Sequence, residues 1–208
     1  MAWYQKVNTA GLILAGGSSS RLGDHKFSTN LGGVSLLDRC LSRFSKQLNP
    51  VAVNLPRGQF RHGSTVLHEP DGEAGGQGPL AGVLLGLEWA QSEGAQALIT
   101  VPVDVPFFPE NMVEAFVAAQ SGAQPVCAAD ANRRHGLCAL WPTSCLAAFS
   151  IAFTEGGVRT VNQMLDILEA KEAVFEGKKH SMFFNVNTAE DLAKAELILK
   201  ESEKSEPG

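Results

Sequence analysis

Apolar positions fall along the chain in two alternating rhythms. Short unbroken runs at Gly11-Leu-Ile-Leu-Ala15, Val51-Ala-Val-Asn-Leu55, Thr65-Val-Leu-His68 and Ala97-Leu-Ile-Thr-Val101 read as strands covered on both faces. From Gly78 onward Leu80, Val83, Leu84 and Leu87 recur at the i, i+3, i+4, i+7 spacing of a helix face. Pro109 reads as the opening of a helix to about Gln120, because proline suits a first helical turn. Pro125-Val-Cys-Ala and Leu137-Cys-Ala-Leu-Trp141 read as strands around a polar turn from Asp130 to His135. Val161, Met164, Leu165 and Leu168 mark an amphipathic helix after Gly156-Gly157. Thr188, with Asp191 three residues on, approximates a capping box for a last helix facing inward through Leu192, Ala195 and Leu199. Such alternation predicts an α/β fold with a mostly parallel central sheet. One domain is expected over residues 1–200, followed by a frayed, disordered polar tail at 201–208.

The 208 residues suit a single domain able to bury its own core, with 44% hydrophobic and 19% charged residues. A net charge of −5 argues against a protein held to nucleic acid by its overall field, though it leaves room for a local basic phosphate site. No apolar run approaches the ~20 residues that span a bilayer, and Met-Ala-Trp-Tyr-Gln-Lys lacks the order of a secretory signal. Cys40, Cys127, Cys138 and Cys145 form no CxxC pair, so they read as reduced, buried thiols of a cytoplasmic protein. His62, His68, His135 and His180 lack ligand spacing, which suits surface or core roles better than a metal. Glycine is in excess, 21 residues or about 10% against a usual ~7%.

Those glycines gather where chemistry is concentrated. Leu14-Ala15-Gly16-Gly17 leaves the first strand and continues through three serines to Arg21 and Lys26. Its backbone N–H groups can wrap phosphate oxygens, with a bidentate guanidinium and a mobile ammonium to neutralise them; a flexible surface loop explains it equally well. It matches neither a P-loop nor a dinucleotide fingerprint. Pro102-Val-Asp104-Val-Pro106 sets a carboxylate just beyond a strand end, where ligands of open α/β sheets bind and where Mg²⁺ finds the one or two carboxylates it needs. A turn aspartate between prolines is the competing reading. Asp71 also follows a strand and is ambiguous on its own. Gly75-Gly-Gln-Gly78 enters the Leu80 helix and offers N–H groups to a base or phosphate, or is a plain linker. Asn185 and Asn187 flank Val186 and would point the same way off a strand, toward a ligand or into a buried turn.

In order, Leu14-Ala-Gly-Gly…Arg21-Leu-Gly…Lys26, Asp71…Gly78-Pro-Leu-Ala-Gly82, Pro102-Val-Asp104-Val-Pro106-Phe107 and Asn185-Val-Asn-Thr188 resemble the molybdenum cofactor guanylyltransferases, the MobA family. His135-Gly-Leu-Cys-Ala-Leu-Trp141 and Glu155-Gly-Gly-Val-Arg159 are similar to its later segments, so the resemblance covers roughly residues 10 to 195. It implies a single three-layer, Rossmann-like nucleotidyltransferase domain that joins the GMP part of GTP to the phosphate of molybdopterin, with loss of pyrophosphate. It further implies that Leu14, Ala15, Gly16, Gly17 and Gly78 meet the nucleotide, completed by Lys26, Asn54 and Asp71. Asp104 would hold Mg²⁺, Arg21 and Lys26 would act with it in catalysis, and Asn185 and Asn187 would lie near the pterin. Molybdoenzyme apo-proteins or their chaperones would receive the product. Three positions depart from the family pattern: His25 where Asp is frequent, Leu22 for methionine, and Gly136 where proline often follows the histidine. The alternatives are a cytidylyltransferase or other nucleotidyltransferase, and a nucleotide-binding homologue without catalysis. Related cytidylyltransferases read Leu-Ala-Ala-Gly in the first loop, so Gly16 favours guanine by leaving room for a purine.

Overall fold

The computed structural model describes residues 8–16, 26–69, 78–176 and 182–205. The expected Gly11 run forms β1 (Thr9–Leu14), buried at every position. Along the chain follow a 3-10 turn (Lys26–Ser28), the short hairpin strands β2 (Asn30–Leu31) and β3 (Val34–Ser35), and helix α1 (Leu36–Ser45). Then come β4 (Val51–Asn54), β5 (Thr65–Leu67), α2 (Pro79–Ser92), β6 (Ala97–Pro102) and α3 (Met112–Ala119). The remainder is β7 (Val126–Ala129), β8 (Arg134–Pro142), α4 (Leu146–Thr154), α5 (Val161–Ile167), β9 (Lys171–Val174) and α6 (Ala189–Ser205).

Seven strands form one sheet in the order β5-β4-β1-β6-β8-β7-β9, and β8 alone runs against its two neighbours. The sheet is therefore mostly parallel, as the buried apolar runs predict. Helices cover both faces. Cys40 and Phe44 of α1, Met112 and Phe116 of α3 and Ala195 of α6 pack on one. Leu80, Val83 and Leu87 of α2, Phe149 and Phe153 of α4, and Met164 and Leu165 of α5 pack on the other. The result is three layers.

The topology selects an edge for ligands. From β1 the chain crosses through α1 to β4 on one side; from β5 it returns through α2 on the opposite face to β6, on β1's other side. The direction of winding thus reverses at β1, a switch point where a crevice opens at the strands' carboxyl ends. Three strand ends are held there in register: Leu14 pairs with Asn54 and with Pro102. The ladder continues past the strands, with Ala15 N donating to Asn54 O (3.0 Å) and Val103 N to Leu14 O (3.0 Å).

Several elements differ from the sequence expectation or escape it, among them β2, β3, α4 and β9, which that expectation does not include. Helix α1 has its own start signal: Ser35 Oγ accepts from Asp38 N (3.0 Å) and donates to Asp38 Oδ2 (2.7 Å). Its buried Leu36, Leu37, Cys40 and Phe44 share one stripe. Helix α3 begins at Met112, because Phe108 is first seated in the core and residues 109–112 form a turn closed by Met112 N on Pro109 O (3.2 Å). Gln47 secures that turn, donating to Pro109 O (3.1 Å) and accepting from Val113 N (3.1 Å). Residues 184–187 are irregular backbone where alternating asparagines on a strand were expected. Finally α6 continues through Ser205, into the segment expected to fray. Its start follows prediction, Thr188 Oγ1 accepting from Asp191 N (3.1 Å) and Asp191 Oδ2 from Thr188 N (3.0 Å).

Candidate active site

Asp104 lies two residues past the end of β6, and Lys26 opens the 3-10 turn that follows the glycine loop. Separated by 78 positions in sequence, they meet at the carboxyl edge: Lys26 Nζ donates to Asp104 Oδ2 at 2.6 Å. The same ammonium donates to Asn187 Oδ1. Only 12% and 16% of the Lys26 and Asp104 side chains are exposed, so the pair is weakly screened. The other carboxylate oxygen, Asp104 Oδ1, is buried and has no hydrogen-bond partner among the described residues. A buried anionic oxygen without a donor is costly unless a cation or donor meets it.

That oxygen is the fit test for a divalent metal. Mg²⁺ takes one or two carboxylates and fills its shell with water and substrate phosphates. A single carboxylate oxygen left without a donor among the described residues fits that requirement. Among the described residues no group of three His, Cys, Asp or Glu stands ready to cage an ion by itself.

Asn187 is presented from irregular backbone, and two bonds fix it. Val186 N donates to Asp104 O (2.8 Å), tying the segment to the end of β6. Asn187 N donates to Asp191 Oδ2 (3.1 Å), so the capping carboxylate of α6 also holds the asparagine's backbone. Asn185, half-buried, belongs to the same segment. Sequence reading assigned Asp191 to the cap alone; its place four residues after Asn187 was the available signal.

Among the described residues of the expected nucleotide side, Leu14, Ala15 and Gly16 lie against Asn54. Asn54 is buried at the end of β4, its Nδ2 3.5 Å from Leu67 O. A Cβ at Gly16 would lie 2.5 Å from Asn54 Oδ1 and 3.2 Å from Glu69 Oε1, and one at Gly82 would lie 3.1 Å from the same oxygen. This corrects the physical reason given for Gly16: the missing side chain first makes room for Asn54 and Glu69, with no direct statement about a purine. Leu14 and Ala15 are buried beneath this edge. Gly78 precedes Pro79 of α2 with φ 81°, a backbone that glycine tolerates and side chains resist. Gly17, Arg21 and Asp71 lie outside the described residues, as do His25, Leu22, Gly75 to Gln77 and His180.

The cysteines are free and buried, as expected. Burial pushes the Cys127 and Cys145 thiols up to about 11, and Cys40 and Cys138 are also raised, first by burial and then by the negative charge of Asp104. Thiols held protonated are poor nucleophiles. His68 Nδ1 lies 3.1 Å from Leu55 O, and His62 is exposed. His135 is more engaged: its Nε2 is 2.8 Å from Asp130 Oδ2 and its ring stacks on Phe183.

A doubly wound sheet with a glycine-entered switch point, and a lysine–aspartate pair set over it, defines a nucleotidyltransferase. Residues 11–171 match the MobA-like NTP transferase domain, and the chain belongs to that family. It is 37% identical over 202 residues to a molybdenum cofactor guanylyltransferase of Mesorhizobium japonicum, covering 92% of this chain and 96% of the relative. A protein of the same name from Rhodobacter capsulatus is 36% identical over 198 residues, covering 94% and 99%. Among solved structures, molybdopterin-guanine dinucleotide biosynthesis protein A from Archaeoglobus fulgidus superposes with a TM-score of 0.76 at 20% identity, over 93% of this chain and 99% of that one. A divalent metal is the general companion of NTP transferases. No helix among the described residues is long and apolar enough to cross a membrane.

Proposed function

We propose that the chain transfers GMP from GTP to the terminal phosphate of molybdopterin, forming the guanine dinucleotide cofactor and pyrophosphate. The names of its relatives support this substrate pair. The observation that carries the chemistry is the Lys26–Asp104 pair with its unpartnered Asp104 Oδ1. The four buried free thiols suit a cytoplasmic setting, and molybdoenzyme apo-proteins or their chaperones are the recipients of the product.

The mechanism needs no general base, because the attacking phosphate is already anionic at neutral pH. Its oxygen forms a bond to the α-phosphorus of GTP while the bond to the bridging oxygen breaks, and the electron pair leaves with pyrophosphate. Two anions must therefore be brought together and the charge on the leaving group stabilised. Asp104 would hold Mg²⁺, and the ion would supply much of that charge neutralisation. Lys26, fixed between Asp104 and Asn187, delivers an ammonium to the phosphates, and the loop from Gly16 through Gly17 to Arg21 adds N–H donors and a guanidinium. Gly78, Asn54 and Asp71 complete the nucleotide side; Asn185 and Asn187 lie toward the pterin. Positioning supplies most of the remaining rate.

Thermal unfolding with Mg²⁺ and each of GTP, CTP, ATP and UTP tests the nucleotide choice. A ligand at a hundred times its Kd stabilises by about 2.7 kcal/mol, a visible shift for a domain of this size. GTP alone is expected to raise the melting temperature. A rise with CTP instead would make the chain a cytidylyltransferase, and no rise with any nucleotide would defeat the catalytic reading.

A further inference from the structure

The segment that presents Asn187 lacks a strand ladder, so its placement depends on a few discrete anchors. One of them is aromatic. Phe183, buried, stacks on the His135 imidazole with ring centroids 4.3 Å apart and planes 19° from parallel. Phe175 meets Phe183 edge-on at 5.5 Å, and Phe116 of α3 meets Phe175 at 6.2 Å. His135 reaches this place because β8 runs antiparallel to β6, with Thr100 paired to Ala139. The first residues of β8 therefore arrive at the carboxyl edge that bears Asp104. Asp130, across the β7–β8 turn, fixes the ring through Nε2 at 2.8 Å. Asp130 is itself held by the N–H groups of Asn132 (2.7 Å) and Arg133 (3.0 Å).

We propose that His135, braced by Asp130, is a positioning residue for transfer: its stack on Phe183 sets the path of residues 183–187 and thereby the Asn187 amide that holds Lys26 Nζ. This rests on the reading of the Lys26–Asp104–Asn187 cluster as the transfer site. The geometry runs without a gap. Asp130 bonds His135, His135 stacks on Phe183, Val186 bonds the Asp104 backbone, and Asn187 bonds Lys26. Burial favours the neutral imidazole, which suits a flat stack with one N–H donated to Asp130. A histidine here combines a face for Phe183 with an edge for Asp130; phenylalanine retains the face alone.

The test is a double-mutant cycle on transfer kinetics with His135→Ala and Asn187→Ala, with His135→Phe as the conservative variant. Assays run well below each variant's melting temperature, so lost stability by itself leaves kcat unchanged. His135→Ala is expected to lower kcat about tenfold, because sub-ångström to ångström misplacement of a charge-stabilising group has effects of that size or more. His135→Phe should recover to within about threefold of wild type, and His135→Ala should add nothing in an Asn187→Ala background. A full-rate His135→Ala enzyme would overturn the proposal, as would an effect that simply multiplies with that of Asn187→Ala. If the wild-type protein makes no dinucleotide from GTP, the functional reading fails separately. A crystal structure of His135→Ala then decides the positioning role: displaced 183–187 backbone supports it, and an undisturbed Asn187–Lys26 bond refutes it.

Discussion

The parallel strands β5, β4, β1 and β6 and the trio β8, β7 and β9 deliver side chains to one edge of the sheet by different means. In the first group three of the four strands lead directly to candidate site residues: Asn54 closes β4, Leu14 leads into the glycine loop, and Asp104 follows β6. Register is fixed by the ladder itself, Leu14 lying between Asn54 and Pro102. In the second group Asn187 comes from irregular backbone, held by a helix cap, one backbone bond to Asp104 and an aromatic stack. Ladder-held groups resist single substitutions because neighbouring bonds share the constraint. Groups held by a few side chains are exposed to the loss of any one of them. The two halves should therefore respond differently to substitutions of similar size.

The largest effect is expected at the junction of the halves. Asp104→Ala removes both the carboxylate partner of Lys26 and the oxygen offered to a cation, and transfer should fall by about three orders of magnitude. A variant with near wild-type turnover would take Asp104 out of the mechanism. Lys26→Met keeps the side chain's bulk and deletes the charge; kcat should fall about a hundredfold, with weaker binding of GTP. Unchanged steady-state constants would show that this ammonium does not reach the phosphates.

Two glycines then separate the halves cleanly. Gly16→Ala drives a Cβ to 2.5 Å from Asn54 Oδ1, and Gly136→Ala places one 2.9 Å from Val161 Cγ1 and 3.0 Å from Leu165 Cδ1. Both overpack and should cost about 1–3 kcal/mol of stability. Only Gly16→Ala should weaken GTP binding by calorimetry, since Asn54 belongs to the proposed nucleotide side. Equal losses of GTP affinity would erase the distinction between the halves.

Acid should act on the second half, with the smallest effect of the set. Burial holds the His135 pKa below its usual 6.5, so the folded protein binds fewer protons there than the unfolded chain. Its contribution is complete above pH 6.5 and is lost as pH falls below it. Asp130 is held near 2 rather than 3.8, chiefly by the His135 bond, so its contribution is present above 3.8 and lost as pH falls toward 2. Both act in the same direction. Urea midpoints should decline from pH 7 to pH 5, and His135→Phe should flatten that span. An equally steep decline in the variant would assign the titration elsewhere.

This contrast also explains how much was legible in the sequence. Buried parallel strands announce themselves as apolar runs, so β1, β4 and β6 and the groups at their ends are readable, as is the family; β5, at the sheet edge with no buried residue, is readable from its short apolar run alone. Helix α1 leaves little trace in the apolar pattern although Ser35 and Asp38 signal its start, because a two-strand hairpin precedes it in place of an apolar run. Strand β9, Lys171-Glu-Ala-Val174, is a sheet edge with one buried residue, and its pattern carries little periodic information. The Lys26–Asp104–Asn187 cluster was foreseen as residues but not as contacts, since each bond spans many tens of positions. His135 looked solitary for the same reason. Its partners are a turn carboxylate five residues away and a ring from a distant irregular segment, which no spacing rule connects.

The most direct test of the central claim is product analysis after incubation with molybdopterin, Mg²⁺ and either GTP or CTP, using wild type and Asp104→Ala. The account predicts guanine dinucleotide and an equal amount of pyrophosphate from wild type with GTP, and about a thousandfold less of both from Asp104→Ala. A cytosine dinucleotide, or guanine dinucleotide formed undiminished by Asp104→Ala, would contradict it.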